Sequence, residues 1–448
     1  MKKNILYASL LVVFIVAAGF VVIKYQGDEK KKQSTIYVLL GRKGTATETE
    51  EWKNNKKNSD QLLMAIKKNT GDKKSLLALA TVYLLEARAT GNYQYYDKAA
   101  MKYLNEVISI EYNNVEALSL KSMVYLSQHH FAEGLALAQF TVKINPYNAF
   151  LYGVLVDGHV EMGNYDSAVL AAEKMMSIRP DLRSYARASY LREIHGDYTG
   201  AIEAMQLAVE AGLPGDEATE WARVQLGHLF ENTGNIKYAE MNYAISLQAR
   251  PGYVHALAGL ARVALFEKKY EKAIAYYLQA DSLVNDFTYK EELIDSYQLA
   301  GQKEKAAAIA KLVIDDMVNN AERALSDESI GHYADKELAY AYLKTGNTNK
   351  ALEHALAEYN RRPKNIDANE TVAWVYHVKG EDAKAVPYMD IALKTNSKNP
   401  VLLCRAGLIY EKAGNKAKAK ECLEQALKNN ANIPELLKLS SEQALKEI

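Results

Sequence analysis

The sequence predicts an all-α chain, a solenoid of about ten antiparallel helix pairs preceded by one apolar membrane-spanning helix. Three observations predict it. Small residues recur at Ala99, Gly134, Ala168, Ala201, Ala239, Ala273, Ala306, Ala351, Ala385 and Ala419, in steps of 35, 34, 33, 38, 34, 33, 45, 34 and 34. Glycines march alongside at Gly163, Gly196, Gly234, Gly301, Gly346, Gly380 and Gly414. Only 8 prolines and 24 glycines interrupt 448 residues, so long helices are allowed. A small side chain lets two helices cross closely, and a glycine after a helix supplies the left-handed turn that ends it. A period near 34 marks an array in which each unit buries its apolar face on its neighbours.

Composition agrees. Apolar residues make up 49% of the chain, too many for a disordered one. The formal net charge is zero, which argues against a nucleic-acid binder. The balance hides an asymmetry: residues 24–74 carry 13 Lys/Arg against 7 Asp/Glu, and the chain beyond them is acidic. The two cysteines, Cys404 and Cys422, are too few for a disulfide framework and read as buried free thiols.

Residues 1–4 form a short charged tail with Lys2 and Lys3. Ile5 to Ile23 is apolar throughout, and as a helix it would span about 28 Å, close to a hydrocarbon core. It reads as a signal anchor. The alternative is a cleaved signal peptide with Ala17-Ala18-Gly19 as its cleavage site, which would make this a secreted protein. The repeats are expected outside the cytoplasm, although Lys30, Lys31 and Lys32 pull the other way. Residues 24–57 read as a polar, Lys-rich linker, and the helical period begins at residue 58, where Ser59 or Asp60 can cap a helix. The array then runs over 58–431. Its step of 38 falls on the loop Ala211 to Gly215, and its step of 45 on residues 315–331, where a bend is expected. Pro146, Pro180, Pro251 and Pro363 punctuate the links between units. Pro434 opens a last helix within 432–448 that is expected to cover the apolar end of the stack.

The motifs that carry a resemblance are Gln225-Leu226-Gly227-His228-Leu229-Phe230 with Gly234 and Ala239, and Ala406-Gly407-Leu408-Ile409-Tyr410 with Gly414 and Ala419. Lys73 to Tyr83 and Val372 to Tyr376 fit the same pattern. On these grounds the chain resembles the tetratricopeptide repeat family over most of its length. The resemblance implies a right-handed superhelical solenoid whose first helices line a concave groove that takes a protein or peptide. It would bring Tyr190, Trp221, His228, His255, Arg262, Tyr340, Trp374 and His377 to that groove. Aromatic and Arg side chains are typical anchors of such interfaces, and they also fill repeat cores. Some relatives clamp a chaperone's terminal carboxylate. Here Lys336 is placed for that, but Tyr340 stands where the clamp Asn belongs, so such docking is not expected.

No Ser/His/Asp or Cys/His signature is visible, and no cofactor or metal site is expected. His129-His130 falls in a turn and reads as a solvated pair. Neither end of the array leaves room for a catalytic domain. The expected function is a membrane-anchored scaffold or adaptor that binds other proteins, an assembly factor at an envelope. A self-assembling solenoid is the alternative, and an enzyme with a repeat arm is the least supported reading.

Overall fold

The computed structural model describes residues 35–47, 49–284, 287–325, 333–429 and 431–448, together with positions 14, 16, 19–21 and 24. Among these residues are 22 α-helices, one 3-10 turn at Gly44–Thr47 and no strand. The anchor expected at 5–23 lies largely outside the described residues. Among the described residues no helix is long and apolar enough to cross a membrane.

Helix α1 (Glu50–Lys68) precedes ten pairs. They are α2 (Lys73–Thr90) with α3 (Tyr93–Ile110), α4 (Val115–Ser127) with α5 (Phe131–Ile144), and α6 (Ala149–Glu161) with α7 (Tyr165–Ile178). Next come α8 (Leu182–Ile194) with α9 (Tyr198–Glu210), α10 (Glu217–Asn232) with α11 (Ile236–Ala249), and α12 (Val254–Phe266) with α13 (Tyr270–Leu283). The last four are α14 (Phe287–Leu299) with α15 (Lys303–Leu325), α16 (Asp335–Lys344) with α17 (Thr348–Arg361), α18 (Ile366–Val378) with α19 (Asp382–Ala392), and α20 (Pro400–Lys412) with α21 (Lys416–Leu427). Helix α22 (Glu435–Glu447) closes the chain.

Local chemistry sets these boundaries. Five link loops end in a capping side chain: Asn114, Asn148, Asp181, Asn365 and Asn399 accept backbone N–H groups at the start of the next helix. The hairpin turn inside each pair is made by a left-handed residue. Gly163 and Gly414 hold φ at 73° and 85°. Where the glycine series lapses, His129 (62°) and Lys268 (60°) take the same conformation. Close crossing is equally specific. A Cβ on Gly227 or Gly259 would lie 2.5 Å from the Tyr243 ring, so that ring fits only between two glycines. This also explains why Tyr outnumbers Phe 31 to 8. Tyr83, Tyr243 and Tyr410 are fully buried rings whose hydroxyls still find acceptors: Tyr37 O (2.6 Å), Glu231 Oε2 (2.7 Å) and Asp390 Oδ1 (2.6 Å).

The structure differs from the expected linker at 24–57. Residues 35–43 lie extended along the first pair, with Leu39 buried and Arg42 paired to the buried Glu86. The helix expected after Ser59 begins at Glu50, capped by Thr49, and Ser59 is buried within it. The reason is amphipathicity: Trp52, Leu62, Leu63 and Ile66 pack inward, and the lysines that read as a spacer are the solvent face. The long first unit is absorbed by helices of 18 residues each. The expected loop spans 211–216, between α9 and α10. At 315–331, helix α15 continues to Leu325, and residues 326–332 lie outside the described residues.

The stack does not stay open. Hairpin turns of the earlier pairs meet link loops about six 34-residue periods later. Tyr333 N donates to Gln128 O (3.3 Å), and the His130 and Tyr333 rings lie 4.4 Å apart. Ile366 N donates to Tyr165 Oη (2.9 Å), and Arg362 pairs with Glu161. A Cβ on Gly163 would sit 2.3 Å from the Lys364 carbonyl carbon, and one on Gly196 would sit 2.5 Å from Asn396 O. Asn432 N donates to Glu231 O (3.1 Å). The His129-His130 pair, expected in solvent, is therefore held in this seam: His129 Nδ1 is 2.8 Å from Tyr333 O, and burial lowers its pKa to about 4.

Candidate functional site: the inner cavity

Because first helices face inward and the two levels touch along the seam, the inner faces enclose a cavity of about 1230 Å³. Five of the eight expected residues line it together: His228, Arg262, Tyr340, Trp374 and His377. Three do not. Tyr190 on α8 is 40% exposed and stands outside that lining, near Asp367 and Glu161. Trp221 packs in the cluster of Ala186, Ala208 and Leu229. His255 Nδ1 lies 3.0 Å from Tyr289 Oη, on the neighbouring pair.

One wall is an electrostatic knot. Glu231, at the end of α10, is 2% exposed, and Arg262 Nε (3.0 Å) and Tyr243 Oη (2.7 Å) both donate to its Oε2. Asn432 Nδ2 donates to its Oε1 (2.9 Å), and His228 Nδ1 lies 3.3 Å away. Burial alone would raise this carboxyl's pKa. The Arg262 charge outweighs it, with help from His228 and Tyr243, and holds the group down to about 2. Arg262 and His228 are thus committed to an internal carboxylate before any ligand arrives.

The opposite wall is aromatic. The Arg405 guanidinium lies over the Tyr340 ring at 5.3 Å and the Trp374 ring at 4.9 Å. Its Nη1 donates to Tyr340 Oη and Glu370 Oε1, both at 2.8 Å. His377 stacks on Trp374 at 4.9 Å and is fixed by Asp382 through Nδ1 (2.5 Å). Trp374 is therefore a rigid platform rather than a mobile side chain. Between the walls lie Glu291, Glu292 and Asp295 on α14, with Lys344 donating to Asp295 (3.1 Å). Burial pushes the Glu291 carboxyl up to about 7.

Helix α22 forms the remaining side. It packs on α20 and α21, as expected of an end cap, and it also reaches across the cavity. Glu435 accepts from Lys268 Nζ (2.9 Å) and Tyr270 Oη (2.6 Å) at the α12–α13 turn. Leu436 and Leu439 stay 62% and 53% exposed on its free face. Sequence reading missed Arg405 and this helix's second role. Arg405 stands one 34-residue period after the buried Thr371, so its register pointed to the core. Nothing local in 432–448 signals a partner some 200 residues earlier. Cys404 and Cys422 are buried free thiols, and no trio of metal-holding side chains occurs among the described residues.

A sequence profile described as "Tetratricopeptide repeat" matches residues 254–285 and 401–433, which are α12–α13 and α20–α21 with their links. A curated relative, the small glutamine-rich tetratricopeptide repeat-containing protein 2 of Saccharomyces cerevisiae (strain ATCC 204508 / S288c), is 34% identical over 89 residues. That match covers 19% of this chain, and the chain spans 25% of the relative's length. Among solved structures, PilW, a widely conserved type IV pilus biogenesis factor, is similar at a TM-score of 0.39 and 16% identity, over 46% of this chain and 94% of that one. TTC0263, a thermophilic tetratricopeptide repeat protein of Thermus thermophilus, is similar at 0.38 and 18%, over 43% and 99%. The pairs α12–α13 and α20–α21, with their crossing residues Ala273 and Ala419, are tetratricopeptide repeats by this match.

Proposed function

We propose that the chain is a binding scaffold without catalytic activity, wound as a right-handed superhelix, that holds a segment of a partner protein in its inner cavity. The observation that carries this reading is the cavity of about 1230 Å³ with Trp374 held on its wall by contacts to Arg405 and His377. The cavity lining mixes apolar side chains, among them Leu408, Ile433 and Leu439, with many charged and polar ones, which suits a segment that carries both. The rigid aromatic supplies contact area with little ordering entropy left to lose. Residues 5–23 anchor the protein in a membrane with the repeats outside the cytoplasm, which suits an assembly factor at an envelope.

The test is site-specific photo-crosslinking of the full chain in cells. A crosslinker at Leu439, on the cavity rim, should capture a defined protein. One at Leu170, 66% exposed on α7, should not. Trp374→Ala should abolish capture at Leu439. Identical capture at both positions, or none at Leu439, overturns the reading. Resistance to alkaline extraction and protease access to the repeats from the non-cytoplasmic side check the anchor and its orientation.

A further inference from the structure

The first pair holds an extended segment in the way a binding site holds a peptide. Residues 35–42 lie along α2 and α3, and side chains of those helices grip their main chain. Tyr95 Oη accepts from Val38 N (3.0 Å) and donates to Val38 O (2.8 Å). Tyr96 Oη does the same for Leu40, at 3.0 and 3.4 Å. Residues two apart present one edge of an extended strand, so the two hydroxyls stand where a neighbouring strand would pair. On the alternate residues, Tyr83 Oη donates to Tyr37 O (2.6 Å), and Lys102 Nζ donates to Thr35 O (2.6 Å).

The gripping tyrosines brace one another. The Tyr83 ring stacks on Tyr96 at 6.0 Å and on Tyr103 at 5.8 Å, and Tyr95 meets Tyr96 edge-on at 5.1 Å. Side chains already fixed by their neighbours lose little freedom when a peptide binds. Main-chain bonds of this kind give affinity whatever the sequence, and pockets for side chains give selectivity. Two side chains of the segment fill pockets. Leu39 is buried in the core of the first pair. Arg42 meets Glu86, a carboxylate of α2 with no exposed surface, through Nε (3.0 Å) and Nη2 (2.7 Å). That two-pronged geometry fits arginine and not lysine. Asn55 also donates to Glu86 (2.9 Å) but brings no charge, so the buried carboxylate calls for a guanidinium. Ile36 and Val38, in contrast, are 69% and 46% exposed and fill nothing.

We propose that α2 and α3 form a second binding site, apart from the cavity, for an extended protein segment of the pattern Leu-x-x-Arg. Residues 35–42 are its built-in occupant, and a partner segment of the same pattern competes with them for the clamp. Exchange frees the stretch before α1 from the array. The site does not depend on the cavity, and either reading stands if the other fails.

The test uses the full chain in detergent and a fluorescent peptide with the sequence of residues 35–43. In the parent, the tethered segment has an effective concentration of about 1 mM or more and keeps the peptide out. Leu39→Asp/Arg42→Asp empties the clamp, and this variant should bind the peptide at least about tenfold more tightly than the parent. Arg42→Lys in the peptide, or a methyl group on its Val38 amide nitrogen, should each weaken binding about tenfold. Ile36→Ser/Val38→Ser in the peptide should change it by less than about threefold. A peptide that binds both chains alike, or does not bind the emptied one, overturns the proposal. So does binding indifferent to the arginine and to the methylated amide. Helical content shows whether the emptied variant folds. Where it does not, amide exchange in the parent decides: excess peptide should speed exchange at Val38 and Leu40, and unchanged exchange overturns the proposal.

Discussion

Arg362, in the link before α18, forms an ion pair with Glu161 at the end of α6, 201 residues earlier in the chain. The guanidinium is 4% exposed, pairs also with Glu358, and lies over Phe131. Breaking such a buried network leaves uncompensated carboxylates behind. Arg362→Met should therefore destabilise the protein by about 3–5 kcal/mol in chemical denaturation. Arg250→Ala, which breaks a pair with the 41% exposed Glu51, should shift it by no more than about 1 kcal/mol.

The turn glycines divide into two classes that thermal melts can separate. Gly414→Ala meets only the strain of a left-handed alanine, about 1 kcal/mol, since nothing lies within 4 Å. Gly163→Ala adds a clash with the Lys364 backbone at 2.3 Å and should lose about 3 kcal/mol or more. Equal melting temperatures for the two variants would show that the seam is not closed in solution.

Two buried groups near the first seam contact tilt stability with pH in opposite directions. Asp97 on α3 is 1% exposed, with Ser127 donating to it and its other oxygen without a partner, and burial pushes its pKa up to about 7. The unfolded carboxyl titrates near ~4, so the native state holds the extra proton between, and stability falls as pH rises through that window. His129, lowered to about 4 by burial, acts the other way. Its unfolded form takes up a proton near ~6.5, and stability falls as pH drops below that. Asp97→Asn should remove this falling contribution and leave that of Glu291, whose carboxyl burial also pushes up to about 7. Denaturation midpoints should therefore fall less, or rise more, between pH 4 and 7 in this variant than in the parent.

Glu231→Gln removes the charge that holds Arg262, and it weakens the acceptor for Tyr243 and Asn432. A loss of about 3 kcal/mol is expected. The Asn432 contact tethers α22 across the cavity, so limited proteolysis should cut within 435–447 sooner in this variant than in the parent.

Much of this architecture was legible in the sequence because its causes are local. Ala419 and Gly407 had to be small for helices to cross, and Gly414 had to be left-handed for a hairpin to turn; both follow from short-range sterics repeated ten times. Five of the eight groove candidates share the cavity because first helices at one period face one way. The seam was not legible, because it joins Gln128 to Tyr333 and Glu231 to Asn432 across some 200 residues with no motif at either end. One signal does exist. The apolar residue after the turn, Phe131, Tyr165, Tyr198, Ile236 and Tyr270, gives way to Lys303, Thr348, Asp382 and Lys416 in the later pairs.

That same return after six pairs bears on how such a chain can evolve. An open array tolerates gain or loss of a unit, since each unit answers only to its neighbours. Here, deleting one pair between α8 and α17 would slide every later link by a whole unit. Gly163 would then face the Asn396 loop and lose the Lys364 loop, and Arg362 would lose Glu161. Copy number in this segment is fixed by geometry, as tooth count is fixed in a pair of meshed gears. Lineages that vary it should do so six at a time, or only beyond the ends.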